Sequence, residues 1–138
     1  MGVEGCIFCK MVRGDIPVVK IYEDDVIIAF LDIGPLSEGH TLVIPREHFE
    51  KLDDCPPKVL GQVASRLGKI AKAAAAGMNA DGYNVLCNVG RAAGQLVGHL
   101  HFHIIPRKSG DGLLARWPSF RYKNGQIEAI ANKIIEKL

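Results

Sequence analysis

The sequence predicts an α+β fold in which helices cover one face of a mostly antiparallel sheet. With 138 residues, the chain can form one hydrophobic core. Strand-like segments follow one another across short turns, and one long helical pattern separates the third from the fourth. Hydrophobic residues make up 48% and charged residues 23% of the chain, as is typical of a globular protein.

The N-terminal third predicts a short helix followed by three strands. The helix covers Cys9–Arg13 and ends at Gly14, because glycine readily adopts the left-handed cap conformation. The first two strands are predicted over Lys20–Tyr22 and Val26–Leu31. An acidic turn lies between them, which predicts a hairpin. Thr41–Ile44 predicts the third strand, because a proline follows it.

The middle of the chain predicts the long helix, over Pro56–Ala76, with Asp53 or Asp54 as its N-cap. Tyr83–Asn88 is the fourth predicted strand. The helix carries an apolar stripe at helical spacing, formed by Val59, Leu60, Val63, Leu67, Ile70 and Ala74.

The C-terminal third predicts a fifth strand, Gly98–Ile105, and a tail helix, Ile127–Leu138. We expect Trp117 and Phe120 to pack under the tail helix, and we expect the helix itself to dock on another surface. Its apolar face consists of Ile127, Ile130, Ala131, Ile134, Ile135 and Leu138.

Composition narrows the cellular setting and the class of partner. No run of about 20 apolar residues is present, and the N-terminus lacks the pattern of a secretory signal. The four cysteines therefore predict a reducing, cytoplasmic location. The net charge of +2 is too balanced to predict a nucleic-acid or membrane surface.

Three histidines alternate along the fifth predicted strand. Because strand side chains repeat every two residues, His99, His101 and His103 share one face, and the apolar residues between them face the core. Three imidazoles could bind a catalytic metal, or one of them could be a nucleophile. The glycine-punctuated loop Asn88–Gln95 lies just upstream and suits phosphate oxygens, which favours nucleotidyl transfer.

The segment Gly94–Ile105 resembles the signature of the histidine triad (HIT) family of nucleotide hydrolases and transferases. The likeness includes Ile21–Asp25, Ala29–Pro35 and Gly39–His48, and it extends in order from Cys6 to Arg107. The resemblance implies the fold of that family, with about five antiparallel strands, one long helix and a C-terminal helix. It also implies that residues 1–138 form a single HIT domain with a C-terminal helical extension.

The resemblance assigns the catalytic roles. His101 is the expected nucleophile: it would attack the α-phosphorus and form a nucleotidyl-histidine, from which water releases a nucleoside monophosphate. His103 would contact the phosphate or the leaving group. His40 would lie behind His101 and hold its tautomer.

The resemblance also assigns substrate contacts. Asp32 would bind the ribose hydroxyls, although a carboxylate before Gly34 and Pro35 is also common in a plain turn. Leu96 departs from the family, because many members carry a hydroxyl residue there that can bind the phosphate or the leaving group, and this contact is absent here. The other expected contacts are Phe30 and Ile33 at the base, and Asn88, Gly94, Gln95 and Val97 at the phosphate.

Cys6 and Cys9 form a Cys-x-x-Cys pair, which can chelate a metal but needs two further ligands. Cys55 and Cys87 could supply these two ligands, but Cys87 lies in a strand with an apolar pattern, and both are interpreted as core thiols. The zinc-bearing branch of the family looks similar here, with Cys6, Cys9, His48 and His99 as ligands of a structural Zn²⁺. Reduced free thiols are the alternative.

The expected activity is hydrolysis of dinucleoside polyphosphates resembling diadenosine tetraphosphate, because the extended C-terminal segment could meet a second nucleotide. A purine nucleoside phosphoramidase is the alternative, and a non-enzymatic nucleotide-binding interaction module is a third possibility. In each case the resemblance implies a purine nucleotide ligand and a homodimer.

Overall fold

The computed structural model describes residues 2–114 and 118–138. Five strands form one antiparallel sheet in the order β1-β2-β3-β5-β4, which confirms the predicted α+β class. The histidine-bearing strand β5 therefore lies inside the sheet. The strands are β1 (Lys20–Glu23), β2 (Ile27–Leu31), β3 (Thr41–Pro45), β4 (Gly82–Leu86) and β5 (Phe102–Arg107).

The short N-terminal helix α1 begins two residues earlier than predicted because Cys6 caps it. The Cys6 Sγ accepts a hydrogen bond from the Cys9 N–H at 3.4 Å. Gly14 ends the helix with φ at +84°, as its position predicts. The helices are α1 (Ile7–Arg13), α2 (Pro57–Gly77) and α3 (Gln126–Ile135).

The predicted cap of the long helix α2 is wrong. Leu52–Asp54 forms a separate 3₁₀ turn, and the N-cap of α2 is Pro56, which makes no side-chain cap bond. A second proline, Pro57, starts the helix because its missing N–H has no intrahelical partner in the first turn.

Both faces of the sheet are covered, so the prediction that helices cover one face needs correction. On one face, Phe102 and Ile104 of β5 pack against Val63 and Ile70 of α2. On the other face, Phe8 of α1 heads a second core, which contains Ile28, Phe30, Leu42 and Ile44. The imidazoles lie toward this second face, because the Phe8 ring lies against those of His99 and His101.

The strand β5 is displaced from its predicted bounds. His99 and His101 precede the strand, and Leu100 is held instead by a 2.6 Å hydrogen bond from its N–H to the Phe49 carbonyl. Pro106 lies within β5 rather than ending it, and it pairs with Tyr83 of β4. The alternation of core and site side chains nevertheless extends upstream of the strand, because Leu100 joins the core beneath α2.

The tail helix forms, but no residue of α3 is buried. Phe120 is 76% exposed and contacts Tyr122 edge-on at 5.3 Å, so its predicted packing under the helix is wrong. Trp117 lies outside the described residues. Among the described helices, none combines the length and hydropathy that a membrane span needs.

Candidate active site and metal cluster

His101 is held in one tautomer by the backbone. Its Nδ1 lies 2.7 Å from the carbonyl oxygen of His99, which can only accept, so Nδ1 carries the proton and donates. The Nε2 atom therefore keeps its lone pair. The ring is 6% exposed and packs edge-on against Phe8 at 5.2 Å, which fixes its orientation. A neutral imidazole with a free, directed nitrogen can act as a nucleophile.

A second chain of hydrogen bonds fixes His40 and His103. The Leu36 N–H donates to His40 Nδ1 at 3.0 Å, so the proton of neutral His40 is on Nε2. That Nε2–H donates to His103 Nδ1 at 2.9 Å, which places the proton of His103 on Nε2. His103 Nε2 is buried and has no hydrogen-bond partner within the described residues. It is thus a donor available to a ligand.

Burial keeps these two imidazoles neutral. The pKa of His103 is lowered to about 4, mainly by loss of solvent and in smaller part by the neighbouring His101 and His40, while the Asp32 carboxylate opposes the shift. Burial also lowers the pKa of His40, and the nearby Asp32 carboxylate opposes this shift. Neutral His103 retains both the acceptor at Nδ1 and the donor at Nε2 near pH 7.

The predicted role of His40 needs correction. His40 contacts His103, not His101, and the His99 carbonyl holds the tautomer of His101. The sequence places His40 near the histidine row but contains no signal that shows which imidazole it meets.

A cavity of about 560 Å³ opens over His101 and His103. The predicted contacts Phe30, Asp32 and Ile33 line it. One oxygen of Asp32 accepts from the Gly34 N–H at 2.8 Å, so the turn role exists, and the other lies 3.7 Å from His40 Nε2. Gly94, Leu96 and Val97 complete the loop side of the cavity.

Helix α1 forms one side of this cavity, a role that was not predicted from the sequence. Ile7, Phe8 and Met11 line the same cavity, and residues 16–19 continue the apolar surface. Their spacing of one and three residues is a helical face and could have indicated this role. This side of the cavity suits the flat apolar faces of a purine base.

The two carboxamides of the glycine-punctuated loop behave differently. Gln95 is fully engaged: its Oε1 accepts from the Gly90 N–H, and its Nε2 donates to the carbonyls of Glu50 and Val97. The Gln95 side chain therefore holds the loop in place and has no free N–H for a ligand. The predicted hydrogen bond from this side chain to phosphate needs correction. Asn88 has no side-chain hydrogen bond among the described residues, so its amide can meet a ligand. Leu96 is 90% exposed at the mouth of the cavity.

The predicted metal ligands converge. One donor atom from each of Cys6, Cys9, His48 and His99 lies within 4.8 Å of the others. The His48 Nδ1 is 3.2 Å from the His99 Nδ1 and from the Cys9 Sγ. Ligand atoms about 2.0 to 2.3 Å from a tetrahedral Zn²⁺ lie about 3.3 to 3.7 Å apart, so these separations fit zinc.

The protonation of His99 also fits a metal ligand. Its Nε2 donates to the Pro45 carbonyl at 2.9 Å, which leaves the Nδ1 lone pair facing the two sulfurs. Burial lowers the pKa of His99 to about 4, so the ring is neutral. A tetrahedral ion held by two sulfurs and two imidazoles would have no open position, which is the arrangement of structural zinc sites.

A second cluster with metal-like spacing, Asp32, His40 and His103, does not pass this test. The Leu36 N–H occupies His40 Nδ1, so Nε2 carries hydrogen and has no lone pair to offer. Among the described residues, no group of converging donor atoms contains His99, His101 and His103 together, so this geometry does not support a catalytic metal on the histidine row.

The remaining cysteines behave as core thiols. Cys55 is 5% exposed, and Cys87 packs against the same core. Burial raises the pKa of both thiols, which keeps them protonated and unreactive.

Curated relatives cover nearly the whole chain. An adenosine 5'-monophosphoramidase of Schizosaccharomyces pombe is 43% identical over 134 residues, which are 96% of this chain and 98% of that protein. An adenylylsulfatase of Arabidopsis thaliana is 41% identical over 130 residues, which are 94% of this chain. This chain spans only 66% of that plant protein.

Solved structures share the fold. A HIT family protein of Bacillus subtilis superposes with a TM-score of 0.90 at 42% identity, over 98% of both chains. A Zn-bound histidine triad family protein of Mycobacterium smegmatis gives a TM-score of 0.75 at 40% identity, over 97% of this chain and 98% of that one. The HIT domain model matches residues 13–110, and the chain belongs to the HIT domain family.

Proposed function

We propose that this protein hydrolyses a purine nucleotide derivative at its α-phosphate through a covalent nucleotidyl intermediate on His101. Hydrolase chemistry follows from the family, because relatives of this chain are a monophosphoramidase and an adenylylsulfatase; the chain is an enzyme of this family. The observation that carries the proposal is the tautomer of His101, whose free Nε2 lies in the cavity beside the donor of His103.

The geometry supports a two-step reaction. The base packs against Ile7, Phe8 and Met11, and the Asp32 carboxylate accepts from the ribose hydroxyls. His101 Nε2 attacks phosphorus: an N–P bond forms, the bond to the leaving group breaks, and the leaving group departs with the electron pair and a proton taken up from solvent. Water then attacks the phosphorus: an O–P bond forms, the N–P bond breaks with its electron pair returning to His101 Nε2, a proton of the water passes to solvent, and the nucleoside monophosphate is released.

The neighbouring groups stabilise charge on the phosphoryl oxygens. His103 Nε2–H donates to one of these oxygens, because it is a buried donor with no partner among the described residues. Asn88 and the backbone of Gly94–Val97 bind the others. Donors that are already oriented need no rearrangement as charge develops in the transition state.

We place adenosine phosphoramidates first among substrates. The relative from Schizosaccharomyces pombe supports this class by its activity, and it matches this chain along almost its full length. The expected preference for dinucleoside polyphosphates rested on the C-terminal segment, yet the described residues that line the cavity end at His103. Dinucleoside polyphosphates and adenylyl sulfate remain the competing substrates for assay.

We further propose that Cys6, Cys9, His48 and His99 hold a structural Zn²⁺. The separations of their donor atoms and the Zn-bound relative support this proposal. The ion would supply a cross-link between α1 and the segment before β5. The whole chain would act as one domain with a C-terminal helical extension, as a homodimer in the cytoplasm.

Trapping tests the nucleophile. The enzyme is mixed with adenosine 5'-phosphoramidate, quenched, digested and searched for an adenylyl mass on the peptide that contains His101. We expect the adduct in the native protein and none in His101→Asn, which should keep nucleotide binding by calorimetry but lose nearly all turnover. Turnover of His101→Asn within about tenfold of the native rate would contradict the proposal.

Substrate class is tested separately. Initial rates on adenosine 5'-phosphoramidate, diadenosine tetraphosphate and adenylyl sulfate are compared at equal concentration. We expect the phosphoramidate to give the largest kcat/KM. A larger value for either anhydride would reassign the substrate but leave the His101 intermediate standing.

A further inference from the structure

His40 and His103 are joined by one hydrogen bond that can exist in two states. His40 Nε2 lies 2.9 Å from His103 Nδ1, and both rings are neutral near pH 7. If His40 Nε2 carries the shared proton, His103 carries its own proton on Nε2. If His103 Nδ1 carries the shared proton, His103 Nε2 is bare. The first state presents a donor to a phosphoryl oxygen in the cavity, and the second presents a lone pair that repels it.

The backbone of Leu36 excludes the second state. Its N–H donates to His40 Nδ1 at 3.0 Å. In the second state His40 would carry its proton on Nδ1, and two N–H groups would point at each other. An Asp32 oxygen lies 3.7 Å from His40 Nε2, which is beyond hydrogen-bond distance, and favours the first state only weakly. The Leu36 N–H is therefore the group that selects the donor state.

The turn that carries this N–H is fixed between strand β5 and the end of helix α2. The Ser37 hydroxyl donates to the Pro106 carbonyl of β5 at 2.7 Å. Gly39 has φ at +84°, and a Cβ at this position would lie 2.5 Å from the side chain of Met78, the C-cap of α2. These contacts hold the Leu36 N–H at one position relative to the imidazole that it meets.

We propose that Leu36 is a positioning residue: its backbone N–H selects the tautomer of His40 and thereby makes His103 Nε2 a donor toward the phosphoryl oxygens. The Leu36 side chain is 53% exposed. Within the described residues, it joins neither hydrophobic core and does not line the nucleotide cavity. The inference rests on the proposed function, because it needs His103 to donate to the substrate.

Nitrogen NMR of the protein without substrate tests the selection. The ¹⁵N shifts of histidine ring nitrogens distinguish protonated from bare atoms. We expect His103 Nε2 to be protonated in the native protein and in Leu36→Ala, which loses the side chain but keeps the N–H. Leu36→Pro lacks the N–H, so we expect an intermediate shift from two populated states. Native His103 shifts in Leu36→Pro, or a bare Nε2 in the native protein, would overturn the proposal.

Kinetics test whether the selected donor is used. We expect kcat on adenosine 5'-phosphoramidate to fall about two- to fivefold in Leu36→Pro with little change in KM, because a fraction of the molecules then presents the lone pair. An unchanged kcat beside a shifted tautomer would overturn the proposal. A lower kcat with native ring-nitrogen shifts would show a merely structural role and would overturn it as well.

Ser37→Ala gives the same test without a new proline. It keeps every backbone N–H but frees the turn from Pro106, and Ser37→Thr returns a hydroxyl. We expect Ser37→Ala to shift the His103 nitrogens and lower kcat in the same direction as Leu36→Pro, and Ser37→Thr to recover both. Native shifts in Ser37→Ala would count against the proposal. The trapped adduct on His101 decides the proposed function separately, since the tautomers are measured without substrate.

Discussion

The neutral state of the half-buried His103 predicts how the protein responds to acid. Its pKa is lowered to about 4 in the folded state, against 6.5 for an ordinary histidine. The unfolded chain therefore binds more protons between these two values. The stability that this imidazole contributes is fully present above pH 6.5 and is lost as the pH falls toward 4.

The magnitude follows from the two pKa values. Between about pH 7.5 and about pH 4.5, linkage gives a loss of about 2 to 3 kcal/mol in the free energy of unfolding from this one group. The matched variant is His103→Asn, because asparagine does not titrate and its Oδ1 can accept from the His40 Nε2–H that now meets Nδ1.

Urea unfolding followed by circular dichroism measures the effect for both proteins at both pH values. Acid-sensitive groups that do not contact His103, including the metal cluster, are common to the two proteins and cancel in the difference. We expect the native protein to lose about 2 to 3 kcal/mol more than the variant on acidification. Equal losses in the two proteins would refute the argument that burial keeps His103 neutral.

Three further predictions concern Phe8 at the side of the nucleotide cavity, the hydrogen bonds of Gln95, and the metal cluster. Phe8→Ala should cost about 3 kcal/mol in unfolding free energy and weaken nucleotide binding in calorimetry, because Phe8 is 5% exposed and packs on His101. Gln95→Ala should cost about 1 to 2 kcal/mol in urea unfolding, because the Gly90 N–H loses its acceptor; an unchanged stability would contradict the bracing role. A chelator should lower the melting temperature and the turnover rate together, since the cluster links α1 to the segment before His101. Unchanged melting of metal-free protein would exclude a structural zinc.

The strand segments and the long helix could be predicted because their signals are local. Hydrophobic alternation and periodicity need no knowledge of the rest of the chain. The boundaries of β5 were less accurate, because the pairing that defines it comes from β3 and β4. The predicted N-cap of α2 was wrong for a similar reason. Asp53 and Asp54 have side chains that can cap a helix, but they belong to a separate 3₁₀ turn that ends before the helix begins.

In the candidate site, too, features set by neighbouring residues were predictable from the sequence, and features set by distant residues were not. The alternation of His99, His101 and His103 is a property of the local backbone and holds upstream of the strand. The partner of His40 and the bracing bonds of Gln95 join residues distant in the sequence, and local pattern carries no information about such pairs. The role of α1 beside the cavity was missed because it depends on where the helix docks.

The sequence by itself determined the element types, the histidine row and the Cys6-x-x-Cys9 pair, because each depends on residue type and spacing along the chain. The resemblance to the HIT family, and not spacing, pointed to His48 and His99 as the other two members of the metal cluster. The tertiary structure decided the tautomers. Whether an imidazole nitrogen donates or accepts depends on the group it faces, here the His99 carbonyl for His101 and the Leu36 N–H for His40. The identity of the free nucleophilic nitrogen is thus a consequence of the fold.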